Sequence, residues 1–186
     1  MFLKVTDASL GIYLLEVSDI FKIVEDATTL AVGVQLDGTK QVFPIDTLDA
    51  LFNQQNVTGY NLGMILVTNT RTGNREIRFT KRIRMIVGEI GGGSKIITTR
   101  AKDNIVVTES LATILAYQGA TKNLGIVSAN VSLNGTNAQF LFMDHWIERI
   151  TSQNPTTPGA AVIITKDTGS YPVTQTVAAI QAAMPT

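Results

Sequence analysis

The chain has 186 residues, a single histidine, His145, and no cysteine. Without Cys there is no thiolate nucleophile, no disulfide and no Cys/His zinc set. A Ser-His-Asp triad would have to be built on His145, which stands beside Trp146 and reads as a packed or surface histidine. The glycine run "GEIGGGSKI" (88–96) has the composition of a phosphate loop but the wrong order. Ser94 precedes Lys95, whereas a P-loop needs Gly-Lys followed by Ser or Thr. The run lies between two β-rich stretches and predicts a hairpin tip. Carboxylates pair at Glu25/Asp26, Asp46/Asp49 and Asp144/Glu148. Paired acids hydrolyse glycosides when a cleft holds them a few ångströms apart, but these fall at turns and helix starts. "DATTLAVGVQLDG" lacks calcium-loop ligand spacing. The expectation is a non-enzymatic protein, with no catalytic residue, no metal site and no cofactor.

One charged stretch has more substance. "REIRFTKRIRM" carries Arg75, Arg78, Lys81, Arg82 and Arg84. If it is extended, Arg78, Arg82 and Arg84 share one face and Lys81 takes the other. Such a face could hold phosphates. Only Phe79 accompanies it, and a pI of about 6.6 is not that of a nucleic-acid coat. The stretch therefore reads as a charged protein interface. Its natural counterpart is acidic: residues 1–56 hold three Lys and eight Asp/Glu, while 57–120 hold nine Lys/Arg against four acids. The remaining third balances at three each. An acidic third beside a basic third suggests complementary contact within the chain or between copies.

The elements that position these residues follow from composition and period. The chain is 45% hydrophobic and 16% charged, enough apolar material for a core and little charge for a surface. The start, "MFLKVTDASLG", carries Asp7 and lacks the apolar core of a signal peptide. No stretch qualifies as a membrane span; the uncharged run 123–143 alternates like a strand. A stretch of mixed apolar and charged residues occurs at 18–26, 80–88 and 144–152, advancing by 63 and then 64 residues. A strand running into a helix follows each: "VFPIDTLDALF", "NIVVTESLATIL" and "SYPVTQTVAAI". The pattern predicts three tandem units, 1–57, 58–120 and 121–186, each of about four antiparallel strands plus one short helix. The fold class expected is α+β, dominated by β.

Each unit should open with a hairpin. The turns are "DASLG", Thr72-Gly73-Asn74 and Asn134-Gly135. A second hairpin turns at Asp37-Gly38, Gly91-Gly92-Gly93 and Asp167-Thr168-Gly169. Asp46, Thr108 and Thr174 are the expected helix N-caps. Leu48, Leu51 and Phe52, then Leu111, Ile114 and Leu115, then Val177 and Ile180 form the apolar stripes behind them. "SQNPTTPG" (152–159) reads as an exposed loop, and "AAMPT" as a short tail.

Residues 11–52, with their "IYL" strand, "IFKI" stretch, "LDGTK" turn, valine-rich strand and helix, resemble the small strand–hairpin–helix proteins of flagellar operons. The endings "YPVTQTVAAIQAA" and "NIVVTESLATIL" also resemble those of small structural proteins of tailed bacteriophages. The second resemblance implies a virion structural protein, of the auxiliary or minor capsid (decoration) kind, whose partners are the major capsid protein or its own copies. Its implied location is the virion, with no membrane and no nucleic acid as partner. A tail, neck or baseplate component is the alternative. A nucleic-acid-binding accessory protein using residues 75–84 is a further one. Three units in one chain could imitate a trimer at a capsid three-fold.

Overall fold

The computed structural model describes residues 1–38, 40–56, 62–118, 124–152 and 157–184. Half of the loop expected at 152–159, the end of the tail and the two expected unit boundaries lie outside the described residues. The fold is β-dominated, with several antiparallel sheets and three short α-helices among the described residues.

The elements come in a fixed order. A hairpin, β1 (Phe2–Asp7) and β2 (Gly11–Glu16), leads through a 3-10 turn at Val17–Asp19 into a meander. The meander is β3 (Ile20–Glu25), β4 (Val32–Leu36) and β5 (Gln41–Val42), and it ends in helix α1 (Leu48–Asn53). The next hairpin is β6 (Met64–Thr68) and β7 (Arg75–Phe79), followed by the 3-10 turn Thr80–Arg82. Then come β8 (Ile83–Gly88), β9 (Ser94–Thr98), β10 (Ile105–Val107) and α2 (Leu111–Ala116). The last round is β11 (Ile126–Leu133), β12 (Thr136–Met143), the turn Asp144–Trp146, β13 (Ile147–Thr151), β14 (Val162–Thr165), β15 (Ser170–Pro172) and α3 (Val177–Ala183). Each round thus has five strands where about four were expected, the extra one being only two or three residues long.

The turns form where short polar residues and glycine permit them. At Asn134-Gly135 both residues take positive φ, 50° and 81°, the geometry of a tight two-residue hairpin. Asp7 closes the first turn by accepting from the backbone N–H groups of Ser9 and Leu10.

The helix caps differ from the expectation. Thr47, Ser110 and Thr176 are the N-caps, accepting from the N–H of Ala50, Thr113 and Ala179. The residues expected there are used by the sheet instead. Thr108 and Thr174 donate their backbone N–H to Thr68 O and Asn130 O, at 3.0 Å each. The Asp46 carboxylate accepts from the backbone and hydroxyl of Thr6. Glu109 and Gln175 do the same for the backbone N–H of Thr68 and Asn130, at 2.9 and 3.1 Å. The cap falls one or two residues further along than expected, on the next short polar side chain before the helix.

The hairpins are shared between rounds. Strand β7 pairs with β3, giving the order β5-β4-β3-β7-β6. Strand β12 pairs with β8, giving β10-β9-β8-β12-β11. The last strand of each meander returns to the first strand of its own hairpin, through Ile45 N to Thr6 O, Thr108 N to Thr68 O and Thr174 N to Asn130 O. The ribbon therefore runs continuously from β2 at one end to β13 at the other. Each core is closed accordingly. The first contains Leu3, Val5, Ile20, Ile23 and Leu48, together with Leu62, Met64, Ile77 and Phe79 of the following hairpin. The second contains Ile65, Val67, Ile86 and Ile114, together with Leu124, Ile126, Leu141 and Met143.

Candidate interaction surface

The basic stretch does not form one face. The 3-10 turn Thr80–Arg82 breaks it, so Arg75 and Arg78 lie in one sheet and Arg84 in the next. Four of the five cations are held by acids of the same chain. Arg75 donates to Glu25 Oε1 at 3.1 Å and to the Asp49 carboxylate. Its guanidinium pKa is raised, chiefly by the hydrogen bond to Asp49. Arg78 is 3% exposed and its Nε donates to Glu76 Oε2 at 2.7 Å. Arg82 bonds the Asp37 carboxylate and Ser18 O. Arg84 reaches Asp167 Oδ2 at 3.0 Å and Thr99 O at 3.1 Å, with its guanidinium 4.5 Å above the Trp146 ring. Lys81 is exposed on the 3-10 turn. Arg75 and Arg82 thus meet carboxylates of the acidic first third, which is how the uneven charge is absorbed. Buried Glu76 also faces Lys22 Nζ at 3.7 Å, and burial lowers the Lys22 pKa.

The other chemical candidates are taken up by local structure. Asp26 caps a turn by accepting from Thr28 and Thr29, which lowers its pKa. The glycine run spans the β8–β9 connection, residues 89–93, with Ser94 and Lys95 already in β9. His145 is half-buried, with Nδ1 3.7 Å from Asp144 Oδ1, and burial pushes its pKa below the ordinary value. Among the described residues no group of three or more His, Cys, Asp or Glu could hold a metal. Nor is any helix there long and apolar enough to cross a membrane.

Two surface features remain. The first is a pocket of about 460 Å³ where three chain corners meet, lined by Met1, Val17, Gly63, Thr80, Gly125 and Asp144, with Lys81 and His145 also in its wall. Each corner is made by the same bond. Val17 N donates to Met1 O at 2.9 Å, Thr80 N to Gly63 O at 2.7 Å, and Asp144 N to Gly125 O at 2.7 Å.

The second feature is apolar. Ile12, Leu14 and Ile45 are 62%, 61% and 65% exposed, and Phe2 is 47% exposed. Thr6 pairs with Ile12 and accepts from Ile45 N, so these side chains belong to one end of the molecule. The sequence did carry a signal for this end. "IYLLE" places apolar residues on both faces of β2, as a strand covered on both sides would require, yet here one face is bare.

No protein-family model, no curated protein and no solved structure matches the chain.

Proposed function

We propose that the chain is a non-enzymatic structural protein of a bacteriophage virion, of the auxiliary capsid kind. It is built from three tandem units, 1–57, 58–120 and 121–186, and it binds the shell or its own copies through extended surfaces of low charge. The observation that carries this reading is the use made of its reactive side chains. Arg75, Arg78, Arg82 and Arg84 of the middle third are taken up by carboxylates of the same chain, and large apolar side chains such as Phe2, Ile12, Leu14 and Ile45 are left outward. Such a surface suits protein partners. Recurrence of the same cap, corner and sheet bonds at a near-constant spacing supports the three units. The meeting of three corners at one pocket suits a chain that imitates a three-fold trimer. Nucleic-acid binding has less support, because Arg75, Arg78, Arg82 and Arg84 already have carboxylate partners.

A tail, neck or baseplate component is the second reading. The open strand edges at the two ends of the ribbon favour it, since such edges suit rings and tubes. The test is quantitative mass spectrometry of gradient-purified particles from the genome that encodes the chain. A virion component will be present at a fixed copy number per particle. A chain found only in the surrounding lysate is not one. Separated heads and tails then distinguish the two readings.

A further inference from the structure

The two junctions inside the chain define what a third should look like. At the first, β7 lies against β3, with Ile77 opposite Ile23 and Arg78 opposite Lys22. At the second, β12 lies against β8, with Leu141 opposite Ile86 and Phe142 opposite Met85. Each receiving strand carries a register shift just before the junction, at Ile20/Lys22 and at Ile83/Met85. Strand β13 has the same shift, at Ile147/Arg149, and among the described residues the one strand it pairs with is β14. Beside it is a groove of about 540 Å³ whose described lining is Arg149, Ile150, Thr151, Ser152 and Val177. Val177 opens α3 as Leu48 opens α1 and Leu111 opens α2.

The insert for that groove also exists. Strand β2 stands in its hairpin as β7 and β12 stand in theirs, and among the described residues it pairs with β1 alone. Leu14, the counterpart of Ile77 and Leu141, is 61% exposed, whereas both of those are 0% exposed. Phe2 is 47% exposed where Met64 and Ile126 are 0% and 1%. Ile150 is only half-buried where Ile23 and Ile86 are at 0%. The chain's own β2 contributes no residue to the groove beside β13.

We propose that the β1–β2 hairpin of one copy docks on β13 and α3 of a second copy, with Leu14 opposite Ile150 and Leu15 opposite Arg149. The contact repeats the two internal junctions between molecules. It joins unlike surfaces, so it propagates head to tail into a closed ring or an open helical string. Main-chain pairing supplies the affinity and the apolar side chains fix the register. The inference rests on the order of the elements and stands whether or not the chain is a virion component.

Cross-linking tests it, and the absence of native cysteine makes the readout clean. Directly opposed antiparallel residues lie within disulfide reach. Full-length Leu14→Cys and Ile150→Cys variants, each shown to be folded by circular dichroism, are mixed under mild oxidation. The expected result is a mixed disulfide of twice the 20.1-kDa chain mass, absent from either variant alone. Light scattering of the unmodified protein should show mass rising with concentration, and Leu14→Asp should shift that rise at least about tenfold upward. The proposal is overturned if each variant cross-links only to itself. It is also overturned if the double variant closes within one chain while the mixture gives nothing, because the hairpin then returns to its own molecule. No cross-link in either experiment overturns it too.

Discussion

Two neighbouring glutamines make the same pair of bonds in different surroundings. Gln55 is 2% exposed. Its amide donates to Met64 O at 3.1 Å and accepts from Met64 N at 3.1 Å, standing in for a missing neighbour strand at the edge of β6. Gln54 does this for Lys4, at 2.7 and 2.9 Å, but in an exposed position. Replacing either by Met keeps the volume and removes both bonds. At Gln55 the backbone donor and acceptor of Met64, itself 0% exposed, lose their partners where water does not reach. At about 1–3 kcal/mol for each of the two buried unpaired groups, Gln55→Met should cost about 2–6 kcal/mol. At Gln54 water replaces the amide and the loss should stay near the net value of a hydrogen bond, about 0.5–1.5 kcal/mol. Urea unfolding followed by Trp146 fluorescence and circular dichroism measures both. Equal losses at the two positions, or a larger one at Gln54, would refute the argument that burial sets the cost.

The corrected helix caps are tested by Ser110→Ala, which should cost about 1 kcal/mol, against Thr108→Ala, which should be nearly neutral because Thr108 bonds through its backbone. For the buried pair, Arg78→Met should cost about 3 kcal/mol by leaving buried Glu76 with only Lys22 and Asn69 beside it, and adding Glu76→Gln should recover part of that loss in a double-mutant cycle. Gly93→Ala should loosen the β9–β10 pair, since a Cβ there would sit 2.4 Å from Val107 O; hydrogen exchange should quicken at Ile105 and Val107. His145 faces Asp144, Lys81 and Lys166, and burial depresses its pKa from 6.5. The unfolded chain then binds the proton first. Its contribution is complete above about pH 6.5 and is lost as pH falls toward the lower folded value. Thermal melts across that window should show a slope that His145→Asn removes.

Much of the architecture was legible because its signals are local. The turns at Gly38, Gly73 and Asn134-Gly135 announce themselves by residue type, and the stripe Leu48–Leu51–Phe52 by its spacing. What stayed hidden depends on partners distant in sequence. "REIRFTKRIRM" has nothing in it that announces a 3-10 turn at Thr80, because that turn exists to carry the chain from one sheet into the next. Asp46 is a good cap by type, and it loses that role to the Thr6 backbone forty residues away. The sharing of hairpins left one trace. "MILV" in β6 is apolar at every position because Met64 and Leu66 pack on the first core while Ile65 and Val67 fill the second. In β1 the position matching Leu66 is Lys4, which is exposed.

The shared hairpins also set a timetable for synthesis. On the ribosome, α1 is complete at Asn53, but the first core still lacks Met64, Ile77 and Phe79. At about 5–20 residues per second the nascent chain spends on the order of a few seconds with that side uncovered. The second core inherits the same delay, since Ile114 of α2 is made before Ile126, Leu141 and Met143. A polypeptide that elongates in this way always emerges with unfinished surface at its growing end.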